Sequence, residues 1–280
     1  MPLSPPRNRR KKILIIAFLA LVAATGLVGQ LILNSERNFS IVALGKNGDI
    51  QLLLFDLNEG RNVRVTIPGE LEMKLAMRRG TLRAKNAVRL SEIENLGGVF
   101  LSDSIMKTLY LPVDYWAERE VRGVFLGGDV PVGVSITLLA FGLTGLREEE
   151  VDLADTAFLK SQALPDGEGG YVTSGEPPLS LVSLFSDPVI SKEQIAARLV
   201  NRTGEREQAL FEVTKILEVL GAKPAPTVAG DPLDVDCIVS AKNPQTASRV
   251  ASVFNCRLDN ESPKALDVEL IFGTDFVHRF

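Results

Sequence analysis

The run Ile13–Leu33, ILIIAFLALVAATGLVGQLIL, constrains this chain more than any other stretch. It carries no charge, and Thr25 and Gln30 are its only polar side chains. At about 1.5 Å per residue it would form a helix about 31 Å long, enough to cross the hydrocarbon core of a bilayer. Arg7, Arg9, Arg10, Lys11 and Lys12 precede it, with no acidic residue upstream. Basic flanks stay on the cytoplasmic side. The expectation is a cytoplasmic tail over 1–12 and a transmembrane helix over 13–33. The protein would then be a single-pass protein of the cell membrane, contacting the bilayer through 13–33, with everything after Leu33 extracytoplasmic. A cleaved signal peptide is the competing reading. It needs a shorter apolar core and a small-residue cleavage site, whereas here apolar residues continue past Val22-Ala23-Ala24 to Leu33.

Charge is distributed unevenly. Five of the 31 basic residues lie before the apolar run, and all 35 acidic residues lie after it. A net acidic ectodomain excludes nucleic acid as its main partner, because duplex binding needs a cationic footprint. The chain has two cysteines, Cys237 and Cys256, and one histidine, His278. That set is too small for a Cys/His zinc site and leaves a Ser-His-Asp triad dependent on a histidine three residues from the end. No GxxxxGK[ST] loop is present, which removes a P-loop nucleotide site.

Past the polar spacer, Phe39–Leu44, Ile50–Phe55 and Asn62–Ile67 read as three strands joined by turns at Asn47-Gly48 and Asn58-Glu59-Gly60. The second run is nearly continuous in apolar residues, as in a strand covered on both faces. The third alternates with period two, as in a half-buried strand. Residues 77–89 then hold five basic side chains, Arg78, Arg79, Arg83, Lys85 and Arg89. They are either an anion site or a solvated face. After Gly97-Gly98, Leu101, Ile105 and Leu109 recur at helical spacing. Trp116, the sole tryptophan, reads as a core or subdomain contact. Gly127-Gly128 and Pro131 lead into Val132–Leu143, expected to be a buried helix. Val151–Leu153 reads as an edge strand, and Leu179–Phe185 as the apolar close of the domain.

From Phe39 to Phe185 the order of strand, NGDI, strand, FDLNEGRNVRVTIPGE, basic segment, GG, helix and LPVDYWA resembles the extracytoplasmic domain of the LytR-CpsA-Psr family. The resemblance implies a mixed sheet flanked by helices. Active members transfer glycopolymer from a polyprenyl pyrophosphate lipid to peptidoglycan, assisted by a divalent metal. The family's Arg-x-Asp-Thr motif falls on Asn47-Gly48-Asp49-Ile50, and its Pro-Arg-Asp motif on Pro68-Gly69-Glu70. Asp49 is kept and Glu70 is a conservative change, but both arginines that hold the pyrophosphate are missing. Phosphoryl transfer depends on positioned positive charge, and losing one clamp costs about 10²–10³ in rate. Arg78, Arg79, Arg83 or Arg89 would have to substitute. The candidate ligand-binding residues are therefore Asp49, Glu70, Arg78, Arg79, Arg83 and Arg89, with no catalytic or metal-binding residue assigned.

Residues 193–280 read as a second, small two-layer α/β domain after the domain at 39–185. Ile195–Asn201 is a strand. An amphipathic helix follows, closed by Gly221, with Leu210, Val213, Ile216, Leu217 and Leu220 on one face. Val235–Ser240 is a strand, and Asn243-Pro244 starts a helix bearing Ala247, Val250, Ala251 and Phe254. Leu266–Phe272 is the last strand, with a turn at Gly273–Phe276. ARLVNRTG, LGAKP, NPQTASRVASVF and DVELIFGTDF resemble the LytR C-terminal domain, which carries no catalytic residues to transfer. In an oxidising exterior Cys237 and Cys256 are expected to pair, two buried thiols being the alternative. The resemblances imply a non-catalytic envelope protein that binds or scaffolds lipid-linked glycopolymer, peptidoglycan or envelope proteins, without a cofactor. An active phosphotransferase is the alternative, and Mg²⁺ belongs only to it.

Overall fold

The computed structural model describes residues 38–280 apart from 46–47, 57–58, 122–123, 136–137, 139–146, 207–209, 260, 262 and 264–265. Its first sheet grows from a meander. β1 (Asn38–Leu44), β2 (Ile50–Asp56) and β3 (Arg61–Ile67) pair antiparallel, with Val42 opposite Leu52 and Leu52 opposite Val65. A hairpin of β4 (Glu72–Lys74) and β5 (Thr81–Arg83) leads into helices α1 (Ala84–Glu94) and α2 (Gly97–Leu109). β6 (Tyr115–Ala117) then returns parallel to β1. The short hairpin of β7 (Arg119–Val121) and β8 (Val124–Leu126) follows. β9 (Arg147–Asp152) completes the order β6-β1-β2-β3-β9 by lying parallel to β3. Its REEEVD sequence places charge on an exposed edge, which discourages pairing with another chain.

The middle strand explains its own apolar run. Ile50, Leu52 and Leu54 enter the larger core together with Val63, Val65 and Ile67. Leu53 and Phe55, on the opposite face, join a second cluster with Phe39, Ile41 and Phe125. Successive side chains of a strand point to opposite faces, so a strand covered on both sides must be apolar throughout.

A third hairpin, β10 (Leu159–Ala163) and β11 (Gly169–Thr173), precedes α3 (Leu179–Phe185) and α4 (Pro188–Lys192). The remaining chain builds a mixed sheet from β12 (Ala196–Asn201), β13 (Lys223–Pro224), β14 (Val228–Ala229), β15 (Cys237–Ala241), β16 (Arg257–Leu258) and β17 (Val268–Phe272). The order is β13-β12-β17-β15-β16, with β14 also beside β12. Helices α5 (Phe211–Val219), α6 (Pro244–Phe254) and α7 (Thr274–Arg279) accompany it. Asn243 caps α6 by accepting from the Gln245 amide at 2.9 Å. Gly221 follows α5 at φ +95°, a conformation that strains any residue with a Cβ.

The expectation of a transmembrane architecture is corrected. The span proposed for 13–33 lies outside the described residues. Among the described residues no helix is long and apolar enough to cross a membrane. The longest, α2, has 13 residues, about 20 Å of helix against a hydrocarbon core of about 30 Å. The described residues form a mixed α/β architecture with no spanning helix among them, and the membrane-spanning assignment is withdrawn.

Two further expectations change. The helix expected over Val132–Leu143 lies partly outside the described residues, and its first described turn is solvent-facing at Val132, although Leu138 is buried. Gly273–Phe276 is the start of α7 rather than a plain turn. Six residues are too few to display a helical period, and α7 is held by tertiary contact. Phe276 lies between Phe272 and Phe280, with ring centroids 4.5 and 5.0 Å away.

Candidate functional site

The loops after β1 and β3 meet at one corner of the first sheet. Asp49 Oδ1 accepts from the Gly69 amide at 2.8 Å, and Gly69 O accepts from the Lys85 amide at 3.0 Å. A Cβ on Gly69 would come within 3.0 Å of Gly48 O, so the two loops approach closely here. A side chain at this position, where the resemblance implies an arginine, would require the Gly48 loop to give by a few tenths of an ångström. Asn47 lies outside the described residues.

Glu70 follows directly and meets both Arg83 and Lys85. The Lys85 ammonium, with Arg83 behind it, holds the Glu70 carboxyl below the usual carboxylate range. Arg83 ends β5, and its side chain is only 6% exposed. Its Nε and Nη2 donate to the two oxygens of Asp166, each at 2.8 Å, and Nη1 donates to Gly169 O at 3.0 Å and to Glu70. Nη2 also lies 3.5 Å from Glu168. Asp166 first, then Glu70, raise the Arg83 pKa above its ordinary value, and Arg83 in turn depresses that of Asp166. Four of the five guanidinium N–H donors are thus engaged in hydrogen bonds, and Glu168 adds an ion pair.

The other candidates do not join this corner. Arg78 reaches across the molecule to Glu205 and to Val277 O at 3.2 Å. Arg79 pairs with Glu94 on α1 at 2.6 Å. Arg89 is exposed on α1. The structure therefore brings together Asp49, Glu70 and Arg83 and adds Lys85, Asp166 and Glu168. Arg78, Arg79 and Arg89 point elsewhere.

This corner does not fit the pyrophosphate and divalent metal that the resemblance implies. An incoming phosphate would meet Glu70, Asp166 and Glu168 around a guanidinium already engaged. A metal would have to compete with the Gly69 amide for Asp49 and with two cations for Glu70. Among the described residues no group of three or more His, Cys, Asp or Glu side chains is placed to hold a metal ion.

A cleft of about 790 Å³ opens farther along α1, where its last turn meets the start of α2, the end of β1 and β6. Leu44, Val88, Leu101 and Trp116 form its apolar wall, and Ser91, Glu92, Asn95 and Glu118 its polar one. Glycines shape it. A Cβ on Gly98 would fall inside the Trp116 indole, and one on Gly127 would sit 2.6 Å from the Glu118 carboxyl carbon. Asp129 fixes Trp116 from below: its Oδ1 accepts from the Trp116 amide at 2.7 Å, and its amide donates to Trp116 O at 3.2 Å. Burial raises the Asp129 carboxyl above its ordinary range despite that bond. The sequence signal for this cleft is the pair of glycine doublets, Gly97-Gly98 and Gly127-Gly128, on either side of the only tryptophan. Read as punctuation, they hide the site.

Against this geometry, no family model matches the chain, and no curated protein matches it.

Proposed function

We propose that this chain is a non-catalytic binding or scaffolding protein of the cell envelope, related in design to LytR-CpsA-Psr proteins and carrying a LytR C-terminal-like module. The glycopolymer or peptidoglycan of the envelope is the partner this reading names. The observation that carries it is the state of Arg83. The one candidate arginine at the Asp49–Glu70 corner is buried, and its donors are directed at Asp166, Glu70 and the Gly169 carbonyl. A guanidinium so engaged supplies no clamp for a transferring phosphoryl group. An extracytoplasmic location is supported by the Cys237–Cys256 disulfide, a bond that persists in oxidising compartments.

The test is a transfer assay with a polyprenyl pyrophosphate-linked glycan, peptidoglycan as acceptor and Mg²⁺ present. The expected result is no turnover above the protein-free blank. Turnover abolished by Asp49→Ala would overturn the reading and install the phosphotransferase in its place.

A further inference from the structure

The cleft beside Trp116 is built for a charge opposite to the one the resemblance implies. Among the described lining residues the two ionisable side chains are both carboxylates, Glu92 on the last turn of α1 and Glu118 just past β6. Neither has an ion-pair partner among the described residues. Trp116 is half-buried and lines the same cleft, pinned through its backbone by Asp129 and through its ring by the bare backbone of Gly98. An indole carries negative potential on its ring face and attracts a cation within about 6 Å of the ring centroid. Asn95 and Ser91 complete the polar wall, and the Ser91 hydroxyl is already spent on Gly97 O at 2.9 Å.

Magnitudes decide the sign of the ligand. The N-terminus of α2 at Gly97 brings about half a positive charge to this rim, and the C-terminus of α1 brings about half a negative one. These oppose each other, which leaves, among the described lining residues, the two carboxylates and the indole. Both glutamates are exposed at the mouth of the cleft, and a phosphate or carboxylate ligand would meet their like charge there. A neutral ligand would draw no attraction from them. A cation of modest size satisfies the carboxylates and the ring together, and the volume lies within the range of small-molecule sites.

We infer that the cleft lined by Trp116, Glu92 and Glu118 is a binding site for an alkylammonium group, with the indole as platform and the two glutamates as counter-charges. This inference does not rest on the envelope reading, since it uses neither the resemblance nor the Arg83 corner.

The chain supplies its own probe, because Trp116 is its only tryptophan. Trp fluorescence of the full chain would be followed while titrating tetramethylammonium chloride, Nα-acetyl-lysine methylamide or sodium phosphate, all at constant ionic strength. A saturable change with at least one of the two ammonium probes and none with phosphate is expected. Comparing those probes shows whether a methylated cation or a peptide-borne amine is preferred. Glu92→Gln and Glu118→Gln should each weaken binding by about threefold or more, and the double variant by about tenfold. Circular dichroism and Tm report that these variants remain folded. The inference is overturned if neither ammonium probe gives a saturable response, if phosphate matches them, or if the double variant binds as tightly as the parent.

Discussion

Asp103 shows how a single residue of this fold carries a pH dependence. It lies on α2, fully buried, with Arg279 Nη1 donating to its Oδ2 at 2.7 Å. Burial pushes its carboxyl up to about 6, and the attraction of Arg279 only partly offsets that. The folded-state value lies above the ordinary one of about 3.9, so the fold favours the protonated form. The stabilisation is present in full below that ordinary value and lost as pH rises through about 6. It amounts to at most about 3 kcal/mol. Tm should therefore rise as pH falls from 8 to 5, and Asp103→Asn should flatten that limb. A variant whose Tm profile over this window matches the parent would contradict the assignment. Residues of this kind are poorly legible in a sequence. Asp103 stands between two serines on a helix, while its partner Arg279, which also binds Asp236, lies at the far end of the chain. The basic segment teaches the same lesson. Arg83 and Glu70 stand out as candidates individually, but Asp166 arrives from a hairpin 83 residues later and turns a binding group into a structural one.

At the scale of elements, the strands and helices with a clear period are legible and the short ones are not. The meander β1–β3, the amphipathic helices α5 and α6 and the strand β12 follow from alternation or helical spacing alone. The six-residue α7 and the two-residue strands β13, β14 and β16 depend on neighbours far away in sequence. Gly98 joins the two levels, as an N-terminal residue of α2 that also forms the bed of the Trp116 ring. Gly98→Ala would drive a methyl into the indole and force β6 or α2 to move. Overpacking of this kind costs about 1–3 kcal/mol. The expected outcome is a lower Tm together with a red-shifted Trp emission, read by fluorescence at rising temperature. A variant with unchanged emission and Tm would show that the ring does not lie on that backbone.

At the scale of the whole molecule, the two segments separated in the sequence reading share one interior. The large apolar cluster runs from Val42 in β1 to Phe280 after α7 without interruption. Arg249 of α6 is buried between Asp114 and Asp187, and Asp187 also caps α4 by accepting from the Val189 and Ile190 amides. Removing one member of such a buried set leaves uncompensated charge, at a cost of about 3–5 kcal/mol. The Cys237–Cys256 bond closes a segment with a sequence separation of 19 within the second sheet region, for which loop closure contributes about 3 kcal/mol. The proposed binding role requires the Asp49–Glu70–Arg83 corner to be closed to pyrophosphate. The most direct measurement is the ³¹P NMR spectrum of farnesyl pyrophosphate with excess full-length chain and Mg²⁺. A closed corner leaves the shifts and line widths as they are with Mg²⁺ and no protein, whereas broadening or displacement that Arg83→Lys removes would contradict it.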